Sequence, residues 1–358
     1  GTMERSESIR RYQVKNQGVS EEFQPVSAAA DASVHRPFSD RLLEGMRIEV
    51  MESSEEELVF DLIGVDASVA NALRRIMLAE VPTMAIEYVY IEMNSGMIHD
   101  EVLAHRLGLV PIQVDPRLFK DKVPQDEINS KNTVVFGLDV QCSRSADTRP
   151  PGSTEPYTMS VYSKHLQWLP QADQAEEFPD GIRPVHEDIL LAKLRPGQHI
   201  KLEAHCQRGV GKDHAKFSPV ATASYRLLPD IVVADEVKGE TAEQLKAMCP
   251  MNVFDIEDLG GERRATAARP RDCTMCRECI RQEGWDERVK LYRAADHYIF
   301  KVEAVGMLAP RDIVKEAIRI LREKCTDFLG ELQGDPAGTG AAAAEEDEDK
   351  DDVEAMLS

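Results

Sequence analysis

A chain of 358 residues exceeds one average domain, and 42% hydrophobic residues suffice for a sizeable core. Its 64 acids against 43 bases give a formal charge of −21, which argues against broad direct contact with nucleic acid, because phosphates are held by clustered Lys and Arg. No run of about 18 apolar residues marks a membrane span, and seven cysteines without an apolar leader point to a reducing compartment with thiols free or bound to metal.

In chain order, residues 1–40 are polar and aperiodic and read as a flexible arm. Met46–Val50 and Leu58–Ile63, separated by an acid-rich turn, read as a hairpin. From Asp66 or Ser68, both good N-caps, a helix is expected to about Glu80, where Pro82 stops it. Val69, Ala70, Leu73, Ile76, Met77 and Val81 recur at three- and four-residue spacing and form its apolar stripe, leaving Asn71, Arg74, Arg75 and Glu80 opposite. Met84–Met93 is a strand rich in β-branched and aromatic residues, and Asp100–Leu107 a short helix capped by Asp100 and ended by Gly108.

Further strands are expected at Thr133–Val140, Tyr157–Tyr162, Ile189–Leu194, His199–Cys206, Val220–Leu228 and His297–Ala304. Pro310–Leu329 reads as a long amphipathic helix whose apolar face carries Ile313, Val314, Ala317, Ile318, Leu321, Cys325 and Phe328. Residues 334–344 read as a low-complexity linker. In the ten residues 345–354 that follow, eight acids and one lysine read as a disordered acidic tail covering 331–358 with the linker. The sum is an α+β chain with a β-rich body bracketed by two strongly amphipathic helices.

The run from Ala70 to Ile112, ANALRRIMLAEVPTMAIEYVYIEMNSGMIHDEVLAHRLGLVPI, and the run from Gly209 to Pro229, GVGKDHAKFSPVATASYRLLP, resemble the two signature segments of the α-like subunits of cellular RNA polymerases. Within that family, which includes archaeal D subunits and the bacterial α N-terminal domain, the second segment is similar to the larger α-like subunit shared by RNA polymerases I and III. The resemblance covers most of 46–329. It implies a dimerisation domain built from 41–83 and 215–330, an inserted β-rich domain at 84–214, and a ferredoxin-like cysteine module at 230–295.

It further implies a non-catalytic assembly subunit for rRNA, 5S rRNA and tRNA transcription, located in the nucleus and nucleolus. The partners implied are a small α-like polymerase subunit, the second-largest polymerase subunit and small zinc-bearing polymerase subunits. On this reading the subunit-interface residues are Val69, Asn71, Leu73, Arg74, Arg75 and Ile76 on the first helix, and Ile313, Ala317, Ile318, Leu321 and Phe328 on the last. His105, Arg106, Lys212, His214 and Lys216 complete the set, although His105 and Arg106 also read as packing and capping around the second helix. The planar, permanently charged forks of Arg74 and Arg75 suit carboxylate or carbonyl acceptors on a partner. The bland alternative for both is a solvated helix face.

Cys273, Cys276 and Cys279 stand in a C-x2-C-x2-C run, with Cys249-Pro250 upstream. Bacterial-type ferredoxins use such a triplet with a displaced C-P partner, so these four thiols could hold one 4Fe–4S cluster. Glu283 occupies the place of a further cysteine, which removes a second cluster. Zinc in a closed tetrahedron and free, unligated cysteines are the two other readings, and an iron–sulfur redox protein is the alternative function. Some archaeal α-like subunits carry a similar insert. Cys142, Cys206 and Cys325 read as ordinary buried thiols. The region 108–150 holds Cys142 alone, unlike the zinc loop of the RNA polymerase II counterpart.

Gly209-x-Gly211-Lys212 fails the phosphate-loop pattern, because its first glycine stands too close and Asp213 follows the lysine. His99, His105 and His214 have no nucleophile at a convincing spacing, and no carboxylate cluster suits catalytic magnesium. No catalytic residue is assigned.

Overall fold

The computed structural model describes residues 11–15, 18–22, 45–123, 125–143, 157–259 and 261–333. Strands β1 (Arg11–Lys15) and β2 (Gly18–Glu22) form a hairpin, as do β3 (Arg47–Ser53) and β4 (Glu57–Ile63). Helix α1 (Ala67–Ala79) begins at Asp66, whose carboxylate accepts the Ser68 N–H at 2.9 Å and so satisfies an orphan donor of the first turn. Strand β5 (Pro82–Asn94) and helix α2 (Asp100–Gly108) follow. The middle of the chain supplies β6 (Ile112–Gln113), β7 (Val134–Gln141), β8 (Met159–Tyr162), β9 (Gln167–Leu169), β10 (Arg183–Pro184), β11 (Leu190–Leu194) and β12 (His199–Val210). Then come β13 (Val220–Val233), helix α3 (Glu240–Met248), the hairpin β14 (Phe254–Leu259) and β15 (Glu262–Ala267), β16 (Val289–Ala304), and helix α4 (Pro310–Gln333).

Strand β16 organises the first body. One of its edges pairs with β13, and the other pairs with β4 from His297 to Glu303 and with β1 from Leu291 to Ala294. Alternation puts Leu58, Phe60 and Leu62 of β4 on one face beside Tyr298, Phe300 and Val302 of β16. The rings of Phe60 and Phe300 stack with centroids 4.9 Å apart. Onto this face α1 sets Ala70, Leu73, Ile76 and Met77, and α4 sets Ile313, Val314 and Ala317. Full burial of each large side chain stabilises by about 2 kcal/mol.

The second body lies between α1 and β13 in the chain. Its sheet runs β5-β12-β7-β9, and Leu103 and Leu107 of α2 pack on it. A third core joins Val237, Leu245, Phe254, Trp285 and Leu291 around the cysteine loops, with Val14 of β1 inserted. The strands of the first sheet thus come from 11–22, 47–63, 220–233 and 289–304, and those of the second body from 82–210. No helix among the described residues is long and apolar enough to cross a membrane.

Three expectations are corrected. Residues 11–15 and 18–22 are strands, part of the segment expected as a flexible arm, because β1 fills the lane beside β16 that β4 leaves open beyond His297. Asp100 lies inside α2, which His99 caps without a side-chain bond, and the Asp100 carboxylate accepts a hydrogen bond from Asn94 Nδ2 at 2.7 Å instead. Cys325 is exposed on α4, since the apolar stripe runs past the end of the body it packs on. The linker and acid-rich residues after 333 lie outside the described residues.

Candidate assembly interface

Helix α4 is 24 residues long, about 36 Å, and only its first half is covered. Ile313, Val314 and Ala317 are fully buried, whereas Phe328, Leu329 and Leu332 are 61%, 54% and 68% exposed. Their spacing continues the same stripe onto a section where this chain offers it no partner surface. Of the residues expected at a subunit seam, Leu73, Ile76, Ile313 and Ala317 are buried where α1 and α4 pack on the chain's own sheet. Val69, Ile318 and Leu321 are half-buried at the margin of that core, and Phe328 projects beyond it.

The polar side of α1 is divided. Arg74 is half-buried and donates from Nε and Nη2 to Asn71 Oδ1 at 3.1 and 2.9 Å. Arg75 is exposed and, among the described residues, has no ion pair. At the end of the helix the Ala79 carbonyl accepts the Lys212 N–H at 2.8 Å, which brings the 209–217 turn against α1. The glycines of that turn are explained by close approach. A Cβ on Gly211 would stand 2.3 Å from the Leu78 carbonyl oxygen, and one on Gly209 would stand 2.7 Å from the Phe217 ring.

In this turn Lys212 and His214 are exposed, and the His214 ring meets that of His105 on α2 edge-on at 6.0 Å. Lys216 and Arg106, also expected at the interface, both bond within the chain itself. Lys216 Nζ donates to the Ile86 carbonyl at 2.9 Å and pairs with Glu87 at 2.5 Å, with its side chain 12% exposed. Arg106 donates from Nε to the Leu191 carbonyl at 3.1 Å and from Nη2 to that of Leu190. Arg75, Lys212 and Phe328 are left facing outward.

Cys249, Cys273, Cys276 and Cys279 line one small pocket with Met251, Val253, Phe254 and Leu291. Backbone N–H groups point at two of the sulfurs: Val253 donates to Cys249 Sγ and Met275 to Cys273 Sγ, each at 3.4 Å. Asn252, Met275 and Arg277 adopt left-handed φ angles of 53°, 59° and 69° in these loops, a strain that persists only where surrounding structure imposes it. Burial pushes the Cys279 thiol up to about 12, reinforced by Cys273, Cys249 and Cys276, and burial raises Cys273 in the same way. Among the described residues no group of three or more His, Cys, Asp or Glu side chains is set to hold a single metal ion.

Sequence reasoning missed the anchor of this module. Arg271, two residues before Cys273, donates to both oxygens of Asp61 on β4, and His297 of β16 lies 2.8 Å from the same carboxylate. An acid inside the apolar run Leu58–Ile63 was the available signal.

The sequence matches the family model of the RNA polymerase Rpb3/Rpb11 dimerisation domain over residues 59–325. It is 49% identical over 289 residues to the DNA-directed RNA polymerases I and III subunit rpac1 of Dictyostelium discoideum, covering 80% of this chain and 81% of that one. The human RNA polymerases I and III subunit RPAC1 is 49% identical over 298 residues, 82% of this chain and 86% of its own length. Its Saccharomyces cerevisiae counterpart is 44% identical over 294 residues, 80% and 87%.

Proposed function

The chain belongs to the RNA polymerase Rpb3/Rpb11 dimerisation family, and from that premise we infer that it is a non-catalytic assembly subunit of RNA polymerases I and III. Its work is to pair with a small α-like subunit and present the pair to the second-largest subunit, with small zinc-bearing subunits docking nearby, in the nucleus and nucleolus. Phosphodiester chemistry belongs to other subunits.

The observation that carries this reading is the uncovered end of α4. Phe328, Leu329 and Leu332 form an apolar strip on a helix whose other half is already buried, and apolar area removed from water stabilises association by about 25 cal/mol per Å². Outward-facing Arg75 and Lys212 support a second, polar contact for the larger partner. The test is co-expression with a small α-like subunit. Alone, the chain is expected to self-associate; together, the two should elute as a one-to-one pair, and Phe328→Asp with Leu332→Asp should abolish the pair. A monodisperse monomer indifferent to the small subunit would overturn the reading.

We also propose that the four cysteines hold a metal centre. Four thiols around one pocket, two N–H···S bonds and three strained loop residues support it. Zinc needs four thiolates about 2.3 Å from one point. The C-x2-C-x2-C triplet with a displaced C-P partner is the ferredoxin arrangement, and on that spacing we favour a 4Fe–4S cluster over zinc. Cys249, Cys273, Cys276 and Cys279 would be its ligands, and bound there it supplies a cross-link between loops. The relatives reported are polymerase subunits, so the redox-carrier alternative is set aside. Anaerobically purified protein should carry iron and absorb broadly in the visible, and Cys279→Ser should lose both; zinc alone, or no metal, would overturn the cluster.

A further inference from the structure

The sheet β5-β12-β7-β9 packs one of its faces: Val89 and Ile91 of β5, Leu202 and Ala204 of β12, and Phe136 and Leu138 of β7 enter the core of the second body. Side chains of a strand alternate between faces, and residues opposed across an antiparallel pair share one. The other face therefore carries a row from Tyr88 through His205 and Val135 to Leu169, and a row from Tyr90 through Glu203 to Gly137. An antiparallel sheet with one face toward water is expected to place polar residues there. Strand β5 departs from this, because Tyr88, Tyr90 and Met93 are all exposed large side chains. The Tyr90 ring leans on that of His205 with centroids 4.8 Å apart, so it is oriented before anything binds. At Gly137 the middle of the face has no side chain, and a Cβ there would stand 3.2 Å from Leu169 of β9.

Three ion pairs set the charge of this face, and in each the acid stands further out than its base. The Glu203 side chain is 52% exposed over His205 at 8%, and Asp139 is 64% exposed against His199 at 22%. Glu92 stands out from Lys201 in the same order. What meets a partner is thus a set of carboxylates beside two tyrosine rings. Polyanions are repelled by such a surface. A guanidinium suits it, since one planar group stacks on an aromatic ring and offers its N–H donors to a carboxylate at the same time. An ammonium is a compact, strongly hydrated point charge without that plane. Tyr88 and Tyr90 stand about 7 Å apart along the strand, the repeat at which an extended chain presents alternate side chains.

We propose that this outer face holds an extended segment of a partner protein with arginines at alternate positions, their guanidinium groups stacked on Tyr88 and Tyr90 and paired with Glu203 and Glu92. The tyrosines supply the apolar area and the acids the choice of cation, a division in which aromatic anchors carry affinity and charge selects the partner. The contact uses neither the exposed end of α4 nor Arg75 and Lys212. That the segment belongs to another polymerase subunit rests on the function proposed above; the recognition of arginine by this face does not.

The test places a photo-cross-linker on the face, Tyr90→p-benzoylphenylalanine, in the full chain expressed in cells and purified with whatever assembles on it. Irradiation and mass spectrometry should join this position to one segment of a partner, with arginines two residues apart. A synthetic peptide of that segment should bind the full chain paired with a small α-like subunit. Binding should weaken at least tenfold with Tyr88→Ser and Tyr90→Ser together, and at least fivefold when the peptide's arginines are exchanged for lysines. Glu92→Gln, at an exposed position, should weaken it severalfold, and each variant should still elute as a pair with the small subunit. No cross-link, a cross-link to a second copy of this chain or to a segment without arginine, or equal binding of the lysine peptide would overturn the proposal. Co-purification of polymerase subunits is scored separately. An arginine-bearing segment from a protein outside the polymerase, with no polymerase subunits recovered, would leave the face standing and overturn the function proposed above.

Discussion

The guanidinium of Arg271 grips the carboxylate of Asp61 through two hydrogen bonds of 2.6 and 2.7 Å, across 210 residues of sequence. Asp61 is 1% exposed in the middle of β4, and Arg271 opens the loop that carries Cys273. The pair therefore fastens the cysteine module to the sheet on which α1 and α4 rest. Planar two-pronged geometry is specific to arginine, and Lys cannot reproduce it.

Removing Arg271 leaves the buried Asp61 carboxylate with His297 as its remaining side-chain partner, and breaking a buried pair destabilises by about 3 kcal/mol. Arg271→Ala should lower the unfolding free energy of the heterodimer by that order, and Arg271→Lys should recover less than half. Asp61→Asn combined with Arg271→Ala should cost less than the two single changes added together. Urea unfolding of all four proteins measures the coupling, and strict additivity would remove Asp61–Arg271 as a clamp.

The same carboxylate sets a pH response. Burial alone would raise the Asp61 pKa, but hydrogen bonds and charge from Arg271 and His297 outweigh it and hold the group below its ordinary 3.8. A carboxylate depressed in the folded state contributes stability that is fully present above the unfolded value and lost as pH falls through the folded one. Stability should thus fall below about pH 4, and Asp61→Asn should flatten that part of the curve while lowering the neutral plateau. A mutant with an unchanged acid limb would assign the response to other carboxylates.

How much of this was legible in the sequence depended on range. Helix α1 announced itself through Asp66, a three-and-four apolar stripe and Pro82, all local signals. The cysteine loops were legible because the C-x2-C-x2-C spacing is local as well. Strand β1 was not, since Val14 is its one buried residue and the strand exists by pairing with Leu291–Ala294. Nor could spacing separate Leu73 and Ile313, which face the chain's own sheet, from Phe328, which does not: one stripe serves two surfaces, and the crossover is set by where the body ends.

The glycine-bearing turn at 209–217 yields a prediction opposed to its superficial likeness to an anion cradle. Gly211→Ala would drive a methyl into the Leu78 carbonyl, backbone that cannot move without disturbing α1, and should destabilise by about 2–3 kcal/mol. Gly209→Ala meets the Phe217 ring, a side chain held by packing, and should destabilise by about 1–2 kcal/mol. Thermal unfolding ranks the two, and a neutral Gly211→Ala would show that the turn does not press on α1 as described.

Arg74 and Arg75 stand side by side in the sequence and differ in what they are free to do. Arg74 spends two donors on Asn71, whereas Arg75 is exposed and, among the described residues, engages no hydrogen-bond partner. Arg75→Glu should therefore leave folding and pairing with the small α-like subunit unchanged, since it disturbs no contact of the core. It should weaken recruitment of the second-largest subunit about tenfold or more, because reversal replaces a charge-assisted contact by repulsion and 1.4 kcal/mol already amounts to tenfold. Recruitment by the unaltered pair should weaken as salt rises, and that of the variant should depend on salt less steeply. Arg74→Ala should have a smaller effect, much of it from releasing Asn71. Equal recruitment by Arg75→Glu and the unaltered chain at low salt would make Arg75 a solvated charge and move the docking surface elsewhere.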